Sequence, residues 1–141
     1  MATAPIRRLT AQEVSHAIVT AAMRVHTELG PGLLESTYQA CLQHELLEGG
    51  IRSASQVGLP VTYRGVKLEL GYRMDLLVED LVIVEIKSVD AISPVHYAQL
   101  ISYLKLSGKS IGLLINFNVV HLRDGIKRFV NGRGWRERQI L

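Results

Sequence analysis

The sequence is poor in several residue types, and each shortage argues against a class of protein. Cys41 is the only cysteine among 141 residues, so no disulfide can form within the chain, and its apolar helical surroundings favour a buried thiol. Aromatic residues make up only 6% of the chain, which argues against a stacking platform for single-stranded nucleic acid. No apolar run approaches the length of a membrane span, and residues 1–8 lack the apolar segment of a signal peptide. We therefore expect a cytoplasmic protein that does not bind membranes.

Composition indicates one compact domain. The chain is 48% hydrophobic and 21% charged, with a formal net charge of +3. A chain of this length can build one substantial core and is too short for two domains. We expect a single domain over residues 1–141, with its core at about 9–130 and a basic tail at 131–141. The apolar fraction is also compatible with an apolar surface that pairs two copies into a homo-oligomer.

Hydrophobic periodicity and turn residues predict the element order ααβββαββ. The helices are predicted at residues 10–29, 33–47 and 94–106, the first three strands at 57–63, 66–78 and 81–87, the next at 111–116, and a strand or short extension around 119–122. This order is typical of an α/β sandwich, with a central mixed sheet flanked by helices and the third helix crossing over between strands.

Charged residues interrupt the most apolar strand. Glu85 and Lys87 follow the run at 81–84, and strand alternation places both on one face. One explanation is that the strand emerges into water here. The other is a site shared with Asp75, which lies opposite Glu85 only if the turn at 79–80 is one residue longer than a two-residue loop or contains a bulge. Two carboxylates and a strand carbonyl would then meet at one end of the sheet and suit Mg²⁺.

Polar residues with helical spacing form the remaining candidates. Gln99 and Tyr103 are four residues apart and share one helix face, where they could also be an ordinary polar edge. Glu35 lies in the first turn of a helix, where the helix dipole favours a carboxylate, a role that does not exclude metal binding. For His26 and His96 we expect hydrogen-bonded structural roles, because no zinc-like ligand spacing is present.

Together these motifs resemble the PD-(D/E)XK nuclease superfamily. Asp75 followed by residues 85–87 (Glu-Ile-Lys) matches the pattern that names it, although Met74 stands where that name has proline. Residues 99–103 look like the QxxxY helix motif of its RecB-like exonuclease branch, and residues 32–38 match the motif of the GxxExxY family, usually placed in the same superfamily. The resemblance covers about residues 9–130.

The resemblance implies a nuclease-like fold and a nuclease that depends on Mg²⁺ or Mn²⁺. By resemblance, Glu35, Asp75 and Glu85 would hold the metal with help from the carbonyl of Ile86. Lys87 would position or activate the attacking water. The competing hypothesis is a non-catalytic binding or oligomeric assembly module that keeps the nuclease fold, because fold membership does not establish activity.

The expected partner is nucleic acid, either DNA or RNA. Gln99 and Tyr103 would orient the site or the substrate, again by resemblance. Basic residues are concentrated near the end of the chain, where Arg133, Arg136 and Arg138 could contact phosphates without reading bases. The alternative for these three arginines is a solvated basic tail.

Overall fold

Three α-helices and eight strands make up the described part of the chain. The computed structural model describes residues 8–132 and the backbone of residues 137–138. The helices are α1 (Ala11–Leu29), α2 (Glu35–Glu48) and α3 (Pro94–Ser107). The strands are β1 (Ser53–Gly58), β2 (Val61–Tyr63), β3 (Val66–Leu68), β4 (Arg73–Val78), β5 (Val82–Lys87), β6 (Ile111–Asn116), β7 (Ile126–Val130) and β8 (Glu137–Arg138). No helix in the described part of the chain is long and apolar enough to cross a membrane.

Six strands form one mixed sheet in the order β1-β4-β5-β6-β7-β8. The β5–β6 pair is parallel and all other neighbours are antiparallel. Parallel neighbours need a crossover connection, and α3 supplies it between β5 and β6. The structure thus has the α/β architecture that the sequence predicts, including the crossover helix.

The sheet packs helices on both faces. Val84 of β5 shares one buried cluster with Ile18 of α1 and Leu42 of α2. Ile83, one residue earlier, points the opposite way and shares a second cluster with Leu100 of α3. Each of these side chains is fully buried, which stabilises the fold by about 1.5–3 kcal/mol per residue. Because β5 is covered on both faces, a charged side chain within it is costly unless it is bonded.

The strands predicted at 57–63 and 66–78 are each split in two. Residues 61–63, at the end of the first predicted strand, and residues 66–68, at the start of the second, leave the main sheet. They pair with each other as the two-stranded hairpin β2–β3. Pro60 has no N–H to donate to a ladder, and Gly71 adopts a left-handed φ of 84°, so neither segment continues as a straight strand. Five strands therefore precede α3, where the predicted order had three.

The strand predicted around 119–122 is also wrong. Residues 118–121 bend, Leu122–Gly125 form a 3₁₀ turn, and the strand follows at β7. Gly125 is the cause, because a Cβ at this buried position would clash with the backbone carbonyl oxygen of Asn116. No sequence pattern indicates this close approach between two parts of the backbone.

We predict that Gly125→Ala destabilises the fold by about 1–3 kcal/mol, because the added methyl group meets the rigid backbone of Asn116. Gly132→Ala is the matched control, since a Cβ there has no heavy atom within 4 Å. Urea denaturation of both variants measures the difference. Equal free energies of unfolding for the two variants would contradict this account.

Candidate functional site

The strand pair β4–β5 opens at one end. Its ladder joins Leu76 to Val84 and ends there, and the same register places Asp75 opposite Glu85. The turn before β5 has two left-handed residues and leaves Leu81 as an extra residue between the strands. This is the longer register that a shared site requires, and a two-residue loop would have turned Asp75 to the other face.

At this opening, two carboxylates replace the backbone ladder. The N–H of Asp75 donates to Oε2 of Glu85 over 2.8 Å, and the N–H of Ile86 donates to Oδ2 of Asp75 over 2.8 Å. Each carboxylate is therefore held by the backbone of the opposite strand. Such charge-assisted hydrogen bonds fix both groups side by side between the strands.

The carbonyl of Ile86 faces the same opening. The neighbouring carbonyl, that of Lys87, accepts a hydrogen bond from the N–H of Phe117 over 2.9 Å on the β6 side. Backbone groups of successive strand residues point to alternate sides, so those of Ile86 point towards β4, as its bond to Asp75 also shows. Three oxygen-bearing groups thus meet at the end of the β4–β5 pair.

Burial makes this pair of carboxylates hold protons tightly. Glu85 is only 3% exposed, and burial, followed by the charge of Asp75, raises the pKa of Glu85 to about 8. Burial also raises the pKa of Asp75, opposed by the N–H of Ile86 and the charge of Lys87. Desolvation is the largest cause of both shifts, and repulsion adds to it, from the charge of Asp75 at Glu85 and from the charge of Glu35 at both carboxylates.

The loop before α2 is held by a buried tyrosine. The hydroxyl of Tyr38 donates to the carbonyl of Gly30 over 2.6 Å and accepts from the N–H of Leu33 over 3.1 Å. The ring of Tyr38 is fully buried and stacks on Phe117 with centroids 4.4 Å apart. Gly32 within this loop has a φ of 102°, which favours glycine.

Glu35 is the first residue of α2 and lies beside the opening. Its Oε2 accepts a hydrogen bond from the N–H of Ser88 over 3.0 Å, and its charge raises the pKa values of Asp75 and Glu85. Within the described residues, however, no three His, Cys, Asp or Glu side chains lie close enough to hold one ion. The structure therefore joins Asp75 to Glu85 and keeps Glu35 next to them, bonded to Ser88.

The predicted polar pair on α3 faces the carboxylates. The Gln99 side chain donates to the Tyr103 hydroxyl over 3.2 Å, and Tyr103 is 5% exposed. Burial, followed by the charge of Glu85, raises the pKa of Tyr103. The charge of Lys87 acts on both Asp75 and Glu85. The pair on α3 thus belongs to the surroundings of the site and is not an exposed polar edge.

Two residues near the site had no motif to indicate them. Gln56 of β1 has a left-handed φ of 50° opposite Asp75, and its side chain bonds to that carboxylate. Asn116 is 2% exposed and exchanges hydrogen bonds with the backbone of Val89, just after β5. A polar residue ending the apolar run 111–115 was the only available signal for Asn116. Nothing in the sequence distinguishes Gln56.

The other candidates lie away from the carboxylates or outside the described residues. His26 Nε2 is 2.8 Å from the carbonyl of Val119, and His96 Nδ1 accepts from the N–H of Ser93 over 3.1 Å, so both have structural hydrogen bonds as expected. Arg133 and Arg136 fall outside the described residues. Of Arg138 only the backbone is described, in β8.

In a comparison with protein-family models, residues 12–129 match the model of the PD-(D/E)XK nuclease superfamily. The chain belongs to this superfamily. Neither the curated proteins nor the solved structures gave a match.

Nucleases of the PD-(D/E)XK superfamily generally use divalent metal ions, and the oxygen groups between β4 and β5 fit such an ion. Asp75 and Glu85 present adjacent carboxylates, and the carbonyl of Ile86 faces the same space. Oxygen donors of this kind suit a hard cation that keeps several waters. The high pKa of Glu85 means that an ion would displace a proton from this carboxylate when it binds.

We predict that the protein loses stability as pH rises from about 4.5 to about 8 without divalent ions. The folded-state pKa of Glu85 lies above its ordinary value, so the folded protein binds this proton more tightly than the unfolded chain does. The stabilisation is complete below pH 4.5 and is lost as pH passes 8. Its size is a few kcal/mol, because each pKa unit corresponds to about 1.4 kcal/mol.

Glu85→Gln should flatten this pH dependence, since the amide does not titrate, leaving the smaller contribution of Asp75 in the same direction. Urea denaturation at pH 5, 6.5 and 8 measures both proteins. Identical pH slopes for the wild type and Glu85→Gln would show that Glu85 does not carry the raised pKa.

Proposed function

We propose that this PD-(D/E)XK protein is a nuclease that hydrolyses phosphodiester bonds of nucleic acid with Mg²⁺ or Mn²⁺. The observation that carries the proposal is the exchange of hydrogen bonds between Asp75 and Glu85 at the opened end of β4–β5. If this end of the strand pair served only to stabilise the fold, apolar residues would continue the backbone ladder there. A buried and a half-buried carboxylate, with a lysine two residues after the buried one, are instead suited to bind a cation and act on an anionic substrate.

We further propose that the chain is of the GxxExxY type. The three residues of that motif have separate structural tasks that support this assignment. Gly32 permits the left-handed turn of the loop, Tyr38 fixes the loop through its hydroxyl, and Glu35 begins α2 beside the carboxylates. The motif therefore places one acidic group next to the site from a second element.

In this proposal, Asp75, Glu85 and the carbonyl of Ile86 would hold the metal, and Glu35 would add negative charge beside it. When bound, the metal supplies positive charge for the phosphate oxygens and lowers the pKa of a bound water. Lys87 orients the attacking water and stabilises the negative charge that develops on the phosphate.

Two further groups complete the proposal. Gln99 and Tyr103 keep the α3 side of the site fixed and orient the substrate, since their mutual hydrogen bond leaves them packed beside Glu85. Arg133, Arg136 and Arg138 contact phosphates outside the site and strengthen binding without reading sequence.

Lys87→Ala is the sharpest test of catalysis. We expect at least a hundredfold loss of Mg²⁺-dependent cleavage, because the variant lacks the charge that stabilises the transition state. The free energy of unfolding should change by no more than about 1 kcal/mol, because Lys87 is only half-buried. Lys109→Ala is the control, since Lys109 pairs with Asp80 at the opposite end of β5 over 3.2 Å.

The assay covers single-stranded DNA, duplex DNA and RNA, each with Mg²⁺ and with Mn²⁺. A folded wild type that cleaves none of these substrates would refute the nuclease and leave a binding or assembly module as the function. Equal loss of cleavage in Lys87→Ala and Lys109→Ala would refute the role of Lys87.

A second test concerns metal binding itself. At pH 8 and at 100 times its Kd, Mg²⁺ should stabilise the wild type by about 2.7 kcal/mol and raise Tm by roughly 5–10 °C. Asp75→Asn should show little of this increase, because the variant loses one of the two charged ligands. Asp80→Asn is the matched control, since Asp80 lies in an exposed turn and should respond like the wild type. Equal Tm shifts in both variants would exclude Asp75 as a ligand.

A further inference from the structure

The β2–β3 hairpin exposes an apolar face. Val61 pairs with Leu68 and Tyr63 pairs with Val66, and residues directly opposite each other in an antiparallel pair share a face. Tyr63 is 63% exposed and Val66 57% exposed. Isolated two-stranded hairpins are marginally stable, and contiguous exposed apolar surface marks an interaction site. This surface therefore requires an occupant.

The hairpin begins at the rim of the carboxylate site. The N–H of Leu59, before β2, donates to the carbonyl of Tyr72, after β3, over 2.8 Å, which closes the base of the hairpin. Tyr72 is 47% exposed and packs edge-on against Tyr103, with ring centroids 6.2 Å apart. Tyr103 in turn lies near enough to Glu85 for that charge to act on its hydroxyl. The base of the hairpin, at Leu59 and Tyr72, thus adjoins the site.

The charges of the hairpin are complementary to phosphate. Three cations, Arg64, Lys67 and Arg73, accompany a single acid, Glu69, within residues 61–73. Lys67 lies 3.8 Å from Glu69, and Arg73 is 3.5 Å from the carbonyl oxygen of Gln56. This excess of positive charge favours an anionic partner over a basic or neutral one. It is too small for a grip on a duplex by phosphate contacts alone.

We propose that the β2–β3 hairpin and Tyr72 bind unpaired nucleotides beside the carboxylate site, so that the substrate is single-stranded nucleic acid or a single-stranded end. In a duplex the bases stack on each other and offer only their edges, whereas unpaired bases can stack on exposed rings and apolar side chains. Tyr63 and Tyr72 provide such rings. The proposal rests on the proposed nuclease function and replaces the expectation, from low aromatic content, that no stacking surface exists.

The test measures the affinity of the full chain for labelled twelve-nucleotide probes without divalent ions, by fluorescence anisotropy. The probes are single-stranded DNA, single-stranded RNA and a DNA duplex of the same length. We expect single strands to bind more tightly than the duplex. The double variant Tyr63→Ala, Tyr72→Ala should lose about tenfold for each ring removed. The double phenylalanine variant should bind within about twofold of the wild type, because it keeps both rings.

Leu47→Ala is the matched control. Leu47 is also exposed, at 66%, but lies near the end of α2, about 18 Å along the helix from Glu35. The affinity of the Leu47→Ala variant for every probe should equal that of the wild type. The salt dependence of binding should be the same in the alanine and wild-type proteins, because ring stacking releases no counterions.

Three results would overturn the proposal. The first is duplex binding as tight as single-strand binding, and the second is loss in the phenylalanine variant equal to that in the alanine variant. The third is a double alanine variant whose molecular mass, measured by sedimentation, differs from that of the wild type while its affinity for the probes is unchanged. That result would assign the face to a second copy of the chain. Since affinity is measured without metal, its outcome is independent of cleavage. If binding depends on Tyr63 and Tyr72 but the protein cleaves no substrate, the proposed nuclease function is refuted and the proposed binding surface is retained.

Discussion

The structure of this site depends on two hydrogen bonds, each running from a backbone N–H of one strand to a carboxylate of the other. They allow Asp75 and Glu85 to be buried, since each carboxylate gains a donor that the interrupted ladder would otherwise have used. The cost of burial is reduced by these bonds and is not removed, as the raised pKa of Glu85 shows. The strand pair consequently stays open at the end where the proposed cation and substrate would bind.

The surrounding elements are fixed around this opening by polar contacts of buried residues. Tyr38 holds the loop before α2, and Ser88 joins that loop to β5 through its hydroxyl bond to the carbonyl of Leu33. Asn116 holds the segment after β5 from the β6 side. The contacts of Ser88 and Asn116 act within two residues of Lys87. Lys87 and Glu35 are therefore held by a rigid scaffold although both lie at ends of elements, and such rigid support is what a catalytic arrangement requires.

The sequence predicts the parts of this arrangement that follow from local rules. Strand alternation places Glu85 and Lys87 together, and hydrophobic periodicity finds α1, α2 and α3. Prediction from the sequence fails where backbone segments that are distant in the sequence determine the local structure. Gln56 has its left-handed φ where the β1–β4 ladder lacks the pair with Asp75, and the need for glycine at 125 comes from the backbone of Asn116. No window of a single sequence contains such contacts.

The same reasoning explains why the motifs predict one site with three carboxylates, whereas the structure joins Asp75 to Glu85 and leaves Glu35 beside them. Residue spacing can indicate that Glu35, Asp75 and Glu85 approach one region, but it cannot indicate which carboxylate a nearby backbone donor will hold. Ser88 holds Glu35, while Ile86 and Asp75 supply the donors within the strand pair. Glu85 is thus buried beside the half-buried Asp75, whose charge raises the pKa of Glu85, and Glu35 adds charge from an exposed position. A cation between the strands would relieve most of the repulsion at Asp75 and Glu85, where desolvation makes charge most costly.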